Sequence, residues 1–523
     1  MLQRWPLACN GNDNVETLGY RTPIAWTKDA LLELIEAKMR GYRFIVVSNR
    51  EPYVHQYSGD EVECVKPASG LTTALEPIMR ACGGTWIAHG SGDADRSVVD
   101  AKDHVKLPPD DPSFTLRRVW LTKEQETRYY YGLSNQGLWP LCHVVFTRPA
   151  FAPEDWQSYR EVNELFARTI LEEAGDAPTF VFIQDYHFAL LPRLLKDSNP
   201  NLIVAQFWHI PWPNPEIFRD FPWGAELLDG LLGNDLLGFH LRLHCLNFLD
   251  TVDRTVEAMA DRERFEVTRG GRTTSVRPFP ISIDFDEQAA TAESPATDQE
   301  MKRWRRQLGL RQELIGIGID RMDYTKGILE RLRAVDRFLT KNPAYRSRLV
   351  FIQVGVPSRM RIRQYKLLEE EVADVVDELN WKWAVGSWRP VVFIGRNVGR
   401  FGMAALHRLA NFCMVSALHD GMNLVAKEFV GSRFDGDGVL ILSDFAGASR
   451  ELTDAVLVNP FDEEGMAESI RQALEMPEEA RRKRMQKMRA AVAENNIYRW
   501  AGKIISALLK FEFAANGQAD AAA

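Results

Sequence analysis

The chain lacks the features of secreted, membrane-spanning and nucleic-acid-binding proteins. Its six cysteines are scattered over 523 residues without a CxxC pair, which argues against a disulfide framework or a zinc knuckle. It contains no run of about 18 apolar residues, the length that a membrane span needs. The net charge of -8 and the pI near 5.8 are atypical of proteins that bind nucleic acid. We therefore expect a cytoplasmic protein that holds small anions locally.

Motifs for metal and cofactor chemistry are missing or incomplete. The sequence has no HExxH and no GxxxxGK[ST]. "DFD" (284–286) has two aspartates at a spacing that can bind metals, and "FDGDG" (434–438) is similar to part of a calcium loop. The first lies in a predicted linker and the second lacks the remaining ligands. Both are interpreted as turns, and we expect no metal and no cofactor.

Short apolar runs that end in polar residues alternate with helical patterns along most of the chain. Continuous apolar runs of this length are typical of parallel strands covered on both faces. They are "RFIVVSNR" (43–50), "TFVFIQDYH" (179–187), "NLIVAQFWHI" (201–210), "DLLGFH" (235–240), "LIGIGIDR" (314–321), "RLVFIQVG" (348–355), "PVVFIG" (390–395), "NFCMVSALHDG" (411–421) and "GVLILSD" (438–444). The pattern predicts a doubly wound α/β fold, in which ligands bind where the strands end.

Length and one change in composition divide the chain. A chain of 523 residues is longer than one hydrophobic core usually supports. The stretch "FDEQAATAESPATDQEMKRW" (285–304) breaks the alternation and is interpreted as a linker. The predicted units are an N-terminal extension (1–43), an N-terminal domain (44–285), a C-terminal domain (300–490), a helix that packs back on the body (491–512) and a disordered tail (513–523).

The stretch "RMDYTKG" (321–327) places two cations just after a buried strand. A turn at the end of a strand brings backbone N–H groups and a helix N-terminus together, which favours an anion. Arg321 adds a planar fork and Lys326 adds a point charge, a combination suited to a diphosphate. A surface turn with solvated charges explains this stretch alone equally well.

The stretch "LHDGMNLVAKE" (418–428) is a second polar turn after a strand. Asp420 is placed to bind sugar hydroxyls, and the carboxylate of Glu428 is placed to accept hydrogen bonds from two ribose hydroxyls. The residues between them, which turn the chain and open a helix whose N–H groups face a phosphate, are Gly421, Met422, Asn423, Leu424 and Val425. An Asp-Gly turn before a capped helix explains part of this set but not the whole.

Eight stretches together indicate a family. In order they are "VVSNR", "SNQGLWP", "QDYHFALLP", "HIPWPNPEIF", "DLLGFH", "RMDYTKG", "DGMNLVAKE" and "LSDFAGASREL…VNPF". They resemble the trehalose-6-phosphate synthases, which are retaining glycosyltransferases of the GT-B fold, and they span nearly the whole body. The resemblance implies two facing Rossmann-like domains with a nucleotide-sugar donor in the cleft, held mainly by the C-terminal domain.

The resemblance also implies roles on the donor side of the cleft. Arg321 and Lys326 would bind the diphosphate and offset the charge that grows on the departing nucleotide. Asp420 would hold glucose hydroxyls and Glu428 would hold the ribose. Gly70, in "ASGL", would allow the backbone to approach the donor closely.

On the acceptor side, the resemblance implies that His209 faces the glucose ring near the reacting carbon and that Asp185 lies beside the acceptor. The acceptor, a sugar phosphate, would contact Arg50, Trp86, Tyr130, Trp139 and Arg359. Taken singly, a histidine such as His209 or His187 is typical of a satisfied core residue, the aromatic residues are typical of a core, and the arginine is typical of a solvated helix start.

The implied reaction transfers glucose from a nucleoside diphosphate glucose, with UDP-glucose favoured, to glucose 6-phosphate with retention. Retention often requires a nucleophilic carboxylate, but Asp185 and Asp420 are better suited to holding hydroxyls. Our hypothesis is therefore a same-face substitution through an oxocarbenium-like transition state, in which the departing phosphate takes the acceptor's proton. Backbone groups around "FIGRNVG" (393–399) are expected to read the base.

Two departures from the family pattern leave substrate preference open. "KPASGL" has one glycine where a pair is common, and His419 stands where arginine is common. "NREPY" (49–53) is also similar to glucosylglycerol-phosphate synthases, which implies ADP-glucose and glycerol 3-phosphate as the alternative. An inactive sugar-phosphate sensor is less favoured because the implied site residues are all present. The oligomeric state, including a homo-oligomer, stays open.

Overall fold

The computed structural model describes residues 26–66, 75–76, 78–80, 83–311 and 313–511. The predicted extension is therefore described only from residue 26, and Gly70 and the predicted tail lie outside the described residues. No helix within these ranges is long and apolar enough to cross a bilayer.

The N-terminal half is built on one large sheet. Its strands, with the β2–β3 hairpin beside it, are β1 Arg43–Arg50, β2 Val54–Ser58, β3 Glu61–Val65, β4 Thr85–His89, β5 His104–Leu107, β6 Phe114–Val119, β7 Thr179–Gln184, β8 Ile203–Phe207, β9 Leu236–Phe239, β10 Met259–Asp261, β11 Glu266–Arg269 and β12 Arg272–Pro278. The sheet order is β10-β11-β12-β9-β8-β7-β1-β4-β6-β5. Seven central strands run parallel, from β12 to β6, and β5, β10 and β11 pair antiparallel at the margins.

The C-terminal half has a second, wholly parallel sheet. Its strands are β13 Leu314–Arg321, β14 Leu349–Val356, β15 Val391–Ile394, β16 Phe412–Val415, β17 Val439–Ser443 and β18 Val456–Val458, in the order β15-β14-β13-β16-β17-β18. Every strand predicted from an apolar run is present, and the doubly wound α/β prediction is confirmed. Strands β4–β6, β10–β12 and β18 and the β2–β3 hairpin were not predicted.

Helices cover both sheets. In the N-terminal half they are Lys28–Lys38, Lys123–Gln125, Trp139–His143, Pro153–Ala174, Leu191–Ser198, Pro215–Phe218, Gly224–Leu231 and Arg242–Thr255, with a π-helix at Glu126–Leu138. In the C-terminal half they are Phe285–Glu293, Pro295–Gln307, Ile328–Lys341, Arg363–Trp383, Gly399–Leu409, Leu424–Ser432, Glu463–Glu475, Glu478–Glu494 and Ile497–Leu508. Short 3-10 turns lie at Asp95–Ser97, Tyr186–Phe188, Tyr324–Lys326, Pro343–Tyr345 and Gly447–Arg450.

The predicted linker is helical. Its first helix begins at Asp284, whose side chain accepts a hydrogen bond from the Glu287 N–H at 3.0 Å, a standard helix cap. The "DFD" motif thus starts a helix. In "FDGDG", Asp435 pairs with Arg433 and Asp437 pairs with Arg481.

The last helix, Ile497–Leu508, lies against the N-terminal sheet although it follows the C-terminal one. The ring of Trp500 lies 5.3 Å from Phe207 and 6.2 Å from Phe182. The Ile497 N–H donates to the Ile283 carbonyl at 2.9 Å. The chain therefore passes between the two halves twice, near Ile283 and near Ile497, and these two points are adjacent.

Candidate functional site

The two polar turns of the C-terminal half meet at the point where its strand order reverses. From β13 the chain proceeds outward to β14 and β15, and then returns to β16 on the other side. Such a reversal leaves a crevice between the carboxyl ends of the two strands, where α/β sheets bind ligands. "RMDYTKG" follows β13 and "LHDGMN" follows β16, so the topology brings these two motifs together.

A close ion pair joins the two turns. The Lys326 Nζ lies 2.5 Å from Asp420 Oδ2, and both side chains are mostly buried. Although burial alone would raise it, the lysine lowers the pKa of Asp420 to about 2. Asn423 donates to the same carboxylate oxygen at 3.1 Å. Asp420 is therefore ionised and held as an acceptor for hydroxyl groups.

Arg321, at the end of β13, is not paired in this way. It is exposed, and it forms no ion pair with any residue in the described part of the chain. Its guanidinium carbon lies 5.8 Å from the ring centre of Trp139, across the cleft. The two cations that were predicted to act together therefore differ in their contacts. Lys326 is paired with the carboxylate of Asp420, whereas Arg321 lies near the ring of Trp139.

The helix Leu424–Ser432 starts beside the ion pair. Asn423 caps it by accepting from the Ala426 N–H at 3.2 Å, with a left-handed φ of 84°. The N–H groups of Leu424 and Val425 open the helix, and the structure gives them no partner among the described residues. They stay available to an anion, as predicted for this turn.

Gly421 touches the opposite domain. A Cβ atom at this position would lie 2.5 Å from the carbonyl oxygen of His209 and 2.9 Å from His240. The same His209 carbonyl accepts a hydrogen bond from His240 Nε2 at 3.0 Å. Only glycine allows the backbone of the C-terminal turn to come this close to the N-terminal domain.

Glu428 carries a carboxyl group that lacks a counter-ion. Burial raises the pKa of Glu428 to about 7, and its carboxyl group has no hydrogen-bond partner within the described ranges. The side chain is only partly buried, so the carboxylate can be reached by a ligand from the cleft. It suits a ligand that donates two hydroxyl groups.

The cost of this carboxylate predicts a stability effect for Glu428→Gln. Because the folded pKa lies above the usual 4.5, wild-type stability falls as the pH rises from about 4.5 to about 7. The neutral glutamine avoids this loss of about 2–3 kcal/mol. The thermal midpoint of the variant relative to wild type should therefore be higher at about pH 8 than at about pH 5. Glu479→Gln, at an exposed position, serves as control, and a midpoint difference independent of pH for Glu428→Gln would contradict the prediction.

The N-terminal sheet has its own reversal between β1 and β7. The strand order continues from β1 to β4 on one side and from β7 to β8 on the other. Arg50 ends β1, Asp185 follows β7 and His209 follows the adjacent β8. Three predicted site residues therefore lie at the carboxyl ends of three neighbouring strands.

Asp185 adopts a strained backbone conformation, with φ 70° and ψ 179°. This region is nearly restricted to glycine and costs about 1–3 kcal/mol elsewhere. The carboxylate accepts from the Tyr186 N–H at 2.9 Å and from the His209 N–H at 3.2 Å. Burial nevertheless raises the pKa of Asp185 to about 7. Strain and a shifted pKa at a strand end are typical of a functional carboxylate.

His209 is neutral at physiological pH. Burial, with a smaller contribution from His187, lowers the pKa of His209 to about 3. Its Nε2 donates to the Gln184 Oε1 at 3.0 Å, which orients the ring and leaves Nδ1 as the unprotonated nitrogen. The ring therefore adds no positive charge to the cleft.

A cationic cluster lies at the acceptor side. Arg50 Nη2 donates to the Tyr130 hydroxyl at 3.1 Å, and Tyr130 belongs to the π-helix Glu126–Leu138. Although burial alone would raise it, Arg50 and Arg359 lower the pKa of Tyr130 to about 8. Two guanidinium groups thus surround one phenol, an arrangement suited to a phosphate.

Arg359 reaches this cluster from the C-terminal domain. Its Nη1 donates to Asp323 Oδ2 at 3.1 Å and to the Tyr365 hydroxyl at 2.6 Å. Its guanidinium carbon lies 3.9 Å from the ring centre of Trp139. The alternative interpretation of Arg359, a solvated charge at a helix start, does not hold, because only 4% of its side chain is exposed.

The two tryptophans predicted to contact the acceptor, Trp86 and Trp139, are both buried. Trp86 does not line a cleft: it is fully buried in the core and its indole N–H donates to the Ser48 hydroxyl at 2.8 Å. Trp86 lies on β4, a central strand that no predicted apolar run covers, and its side chain packs in the core of the N-terminal half. Trp139 is also largely buried, but its ring lies against the arginine that reaches the cleft.

Sequence reasoning missed Asp323, the third residue of "RMDYTKG". It is fully buried and pairs with Arg359, and its Oδ1 also accepts from the N–H and hydroxyl of Thr325. Although burial alone would raise it, Arg359 and Arg321 hold the pKa of Asp323 below its usual range. The turn after β13 therefore holds Arg359 in place through Asp323. The sequence signal that could have identified Asp323 is its position within the "RMDYTKG" motif.

Comparison with known proteins identifies the family of this chain. The family model described as glycosyltransferase family 20 matches residues 42–510. The chain belongs to glycosyltransferase family 20. The trehalose-6-phosphate synthase of Mycolicibacterium vanbaalenii is 38% identical over 486 residues, covering 91% of this chain and 98% of that protein. The bifunctional trehalose-6-phosphate synthase/phosphatase of Thermoproteus tenax is 36% identical, covering 89% of this chain and 63% of that protein.

Solved structures resemble the family 20 chain over almost its whole length. The Escherichia coli trehalose-6-phosphate structure bound with UDP-2-fluoro glucose has a TM-score of 0.80 at 29% identity, covering 90% of this chain and 99% of that one. The UDP-forming α,α-trehalose-phosphate synthase of Burkholderia xenovorans in complex with glucose-6-phosphate has a TM-score of 0.80 at 29% identity, covering 89% and 99%. The predictions of the family, of the GT-B fold and of a glycosyltransferase are confirmed.

Proposed function

We propose that this glycosyltransferase moves glucose from a nucleoside diphosphate glucose, with UDP-glucose as the favoured donor, to glucose 6-phosphate, forming trehalose 6-phosphate. The observation that carries the proposal is that a cluster of two carboxylates and a lysine faces a cluster of two arginines across one cleft. Lys326, Asp420 and Glu428 form one cluster, and Arg50 and Arg359 form the other. The bound molecules named for the two structural relatives, a UDP-sugar analogue and glucose-6-phosphate, support the same pair of substrates.

In the proposed donor site, the phosphates of the sugar nucleotide bind cations and N–H donors, and its hydroxyl groups donate to carboxylates. The diphosphate binds Arg321, Lys326 and the opening N–H groups of the helix Leu424–Ser432. Asp420 accepts hydrogen bonds from glucose hydroxyls, and Glu428 accepts them from the ribose. Binding of ribose hydroxyls favours the ionised Glu428, so its pKa falls when nucleotide binds.

The proposed reaction proceeds on one face of the sugar. The bond from the anomeric carbon to the diphosphate oxygen breaks as the acceptor hydroxyl approaches, and the departing phosphate takes the proton of that hydroxyl. Positive charge develops on the sugar ring, and a protonated His209 would oppose it; burial keeps this ring neutral. Positioning and fixed positive potential at the leaving group supply the rate enhancement.

A donor-by-acceptor activity matrix tests the proposed function. UDP-, ADP- and GDP-glucose are each mixed with glucose 6-phosphate and with glycerol 3-phosphate, and products are identified by mass spectrometry and NMR. Trehalose 6-phosphate with retained anomeric configuration is the expected product. Glucosylglycerol phosphate as the main product would replace the proposed acceptor, and no product from any pair would overturn the proposal.

Arg50→Ala is expected to raise the acceptor KM about 10–100-fold, the effect of losing one hydrogen bond to a charged group. The donor KM should change little, because Arg50 lies on the N-terminal side of the cleft. Arg43→Ala, at the opposite end of the same strand, is the matched control. A change confined to donor affinity would contradict the assignment of Arg50.

Arg359→Ala is expected to raise the acceptor KM as well, but it leaves Asp323 buried without a counter-ion. Such a loss is destabilising by about 3–5 kcal/mol. The double variant Arg359→Ala, Asp323→Asn removes that charge and should regain most of the lost stability without regaining acceptor affinity. Restored affinity would assign Arg359 a structural role alone.

A further inference from the structure

His419 makes a hydrogen bond that joins the two domains beside both substrate sites. It directly precedes Asp420, and its Nδ1–H donates to the carbonyl oxygen of His143 at 2.8 Å. His419 belongs to the C-terminal turn, whereas His143 ends the N-terminal helix Trp139–His143. The side chain is partly buried, so water competes with this bond only in part.

His143 continues the connection toward the acceptor cluster. Its own Nδ1–H donates to the Trp139 carbonyl at 2.9 Å, and the two rings lie 4.1 Å apart. The ring of Trp139 in turn lies 3.9 Å from the guanidinium carbon of Arg359. A continuous set of contacts therefore runs from the donor carboxylate Asp420 to the acceptor arginine without passing through a ligand.

We propose that His419 is a positioning residue that couples donor binding to acceptor binding. This inference rests on the proposed function, because it takes Asp420 as a donor residue and Arg359 as an acceptor residue. A nucleotide diphosphate that binds Lys326 restrains the Asp420 turn through the Lys326–Asp420 ion pair, and the His419 hydrogen bond passes this restraint to the His143 carbonyl. The helix Trp139–His143, and with it the support for Arg359, is then ordered before the sugar phosphate arrives, so the second ligand has less ordering to complete.

The coupling is measured as the factor by which each ligand tightens the other. UDP is titrated with and without saturating glucose 6-phosphate, and glucose 6-phosphate with and without saturating UDP, by calorimetry. The two factors must be equal. His419→Ala is expected to lower the factor about fivefold, the size of one net hydrogen bond, while the affinity for each ligand alone stays within about twofold. A residue needed only for folding would change the single-ligand affinities as well.

The choice of side chain sharpens the test. His419→Asn carries an amide N–H near the position of Nδ1 and is expected to retain the coupling, whereas His419→Gln carries its amide farther out and is expected to lose it. Arg361→Ala is the matched control, because Arg361 also crosses between domains, to Glu126 at 3.3 Å, but contacts neither Trp139 nor Asp420.

Each outcome decides one question. Full coupling in His419→Ala, or an equal loss in Arg361→Ala, overturns the role of His419. Turnover of the wild-type enzyme tests the proposed function separately. If the wild type forms trehalose 6-phosphate but His419→Ala keeps full coupling, only the role of His419 is contradicted. Loss of coupling in His419→Ala and His419→Gln, with retention in His419→Asn, establishes it.

Discussion

Arg321→Ala is expected to lower kcat/KM by about 10²–10³-fold with only a small loss of stability. The guanidinium offsets negative charge that grows on the departing diphosphate, so its contribution is larger in the transition state than in the bound substrate. Removal of exposed Arg321 takes away part of the positive potential that lowers the pKa of Asp323, but Asp323 keeps its ion pair with Arg359, so no buried charge is left unpaired. Steady-state kinetics with UDP-glucose and glucose 6-phosphate, together with thermal unfolding, measure both parts of the prediction.

Lys326→Ala, at the neighbouring cation, is expected to lower both activity and stability. The same loss of about 10²–10³-fold is expected, but here Asp420 loses the partner that holds its pKa low, so stability falls as well. Arg333→Ala, an exposed arginine that pairs only with exposed Glu371, is the control for the removal of a surface cation. Near-normal turnover in both Arg321→Ala and Lys326→Ala would refute the diphosphate assignment.

Gly421→Ala is expected to lower kcat by about 10²-fold through geometry alone. The added methyl group would lie 2.5 Å from the His209 carbonyl oxygen, a distance that backbone atoms cannot accept. The C-terminal turn must then retreat by on the order of 1 Å, which misplaces Asp420 relative to His209 and is enough for a loss of this size.

Gly402→Ala provides the matched control for that steric argument. A Cβ atom at Gly402, in the helix Gly399–Leu409, would meet its nearest neighbour at 3.4 Å, an ordinary contact. The control should therefore keep normal activity. Normal activity in Gly421→Ala would show that the halves can separate there without cost to catalysis.

The apolar runs predicted nine of the strands because buried parallel strands need continuous apolar residues regardless of their partners. Most of the strands that escaped prediction are short, partly exposed or mixed in polarity: β11, for example, is Glu266–Arg269, and β10 is a three-residue strand. The central strand β4, Thr85–His89, is buried but has only three apolar residues in a row. Such short, mixed segments carry little periodic signal.

Site residues were predictable where they ended a strand, and not where their role depended on distant contacts. Lys326 and Asp420 were both predicted, but their ion pair spans 94 positions and follows from the strand order. Asp323 was overlooked for the same reason, since its partner Arg359 lies after a different strand. Trp86 was misplaced because a motif shows that a tryptophan is present but not which side of the sheet it packs against.

The two crossings of the chain between its halves have a mechanical consequence. The segment that leaves the N-terminal sheet at Ile283 and the segment that returns to it at Ile497 are joined by a backbone hydrogen bond, so they bend as one hinge. A rotation of one half against the other would therefore bend both segments at this one place. The terminal helix, seated on Phe207 and Phe182 through Trp500, ties the C-terminal half to the N-terminal sheet at a second point.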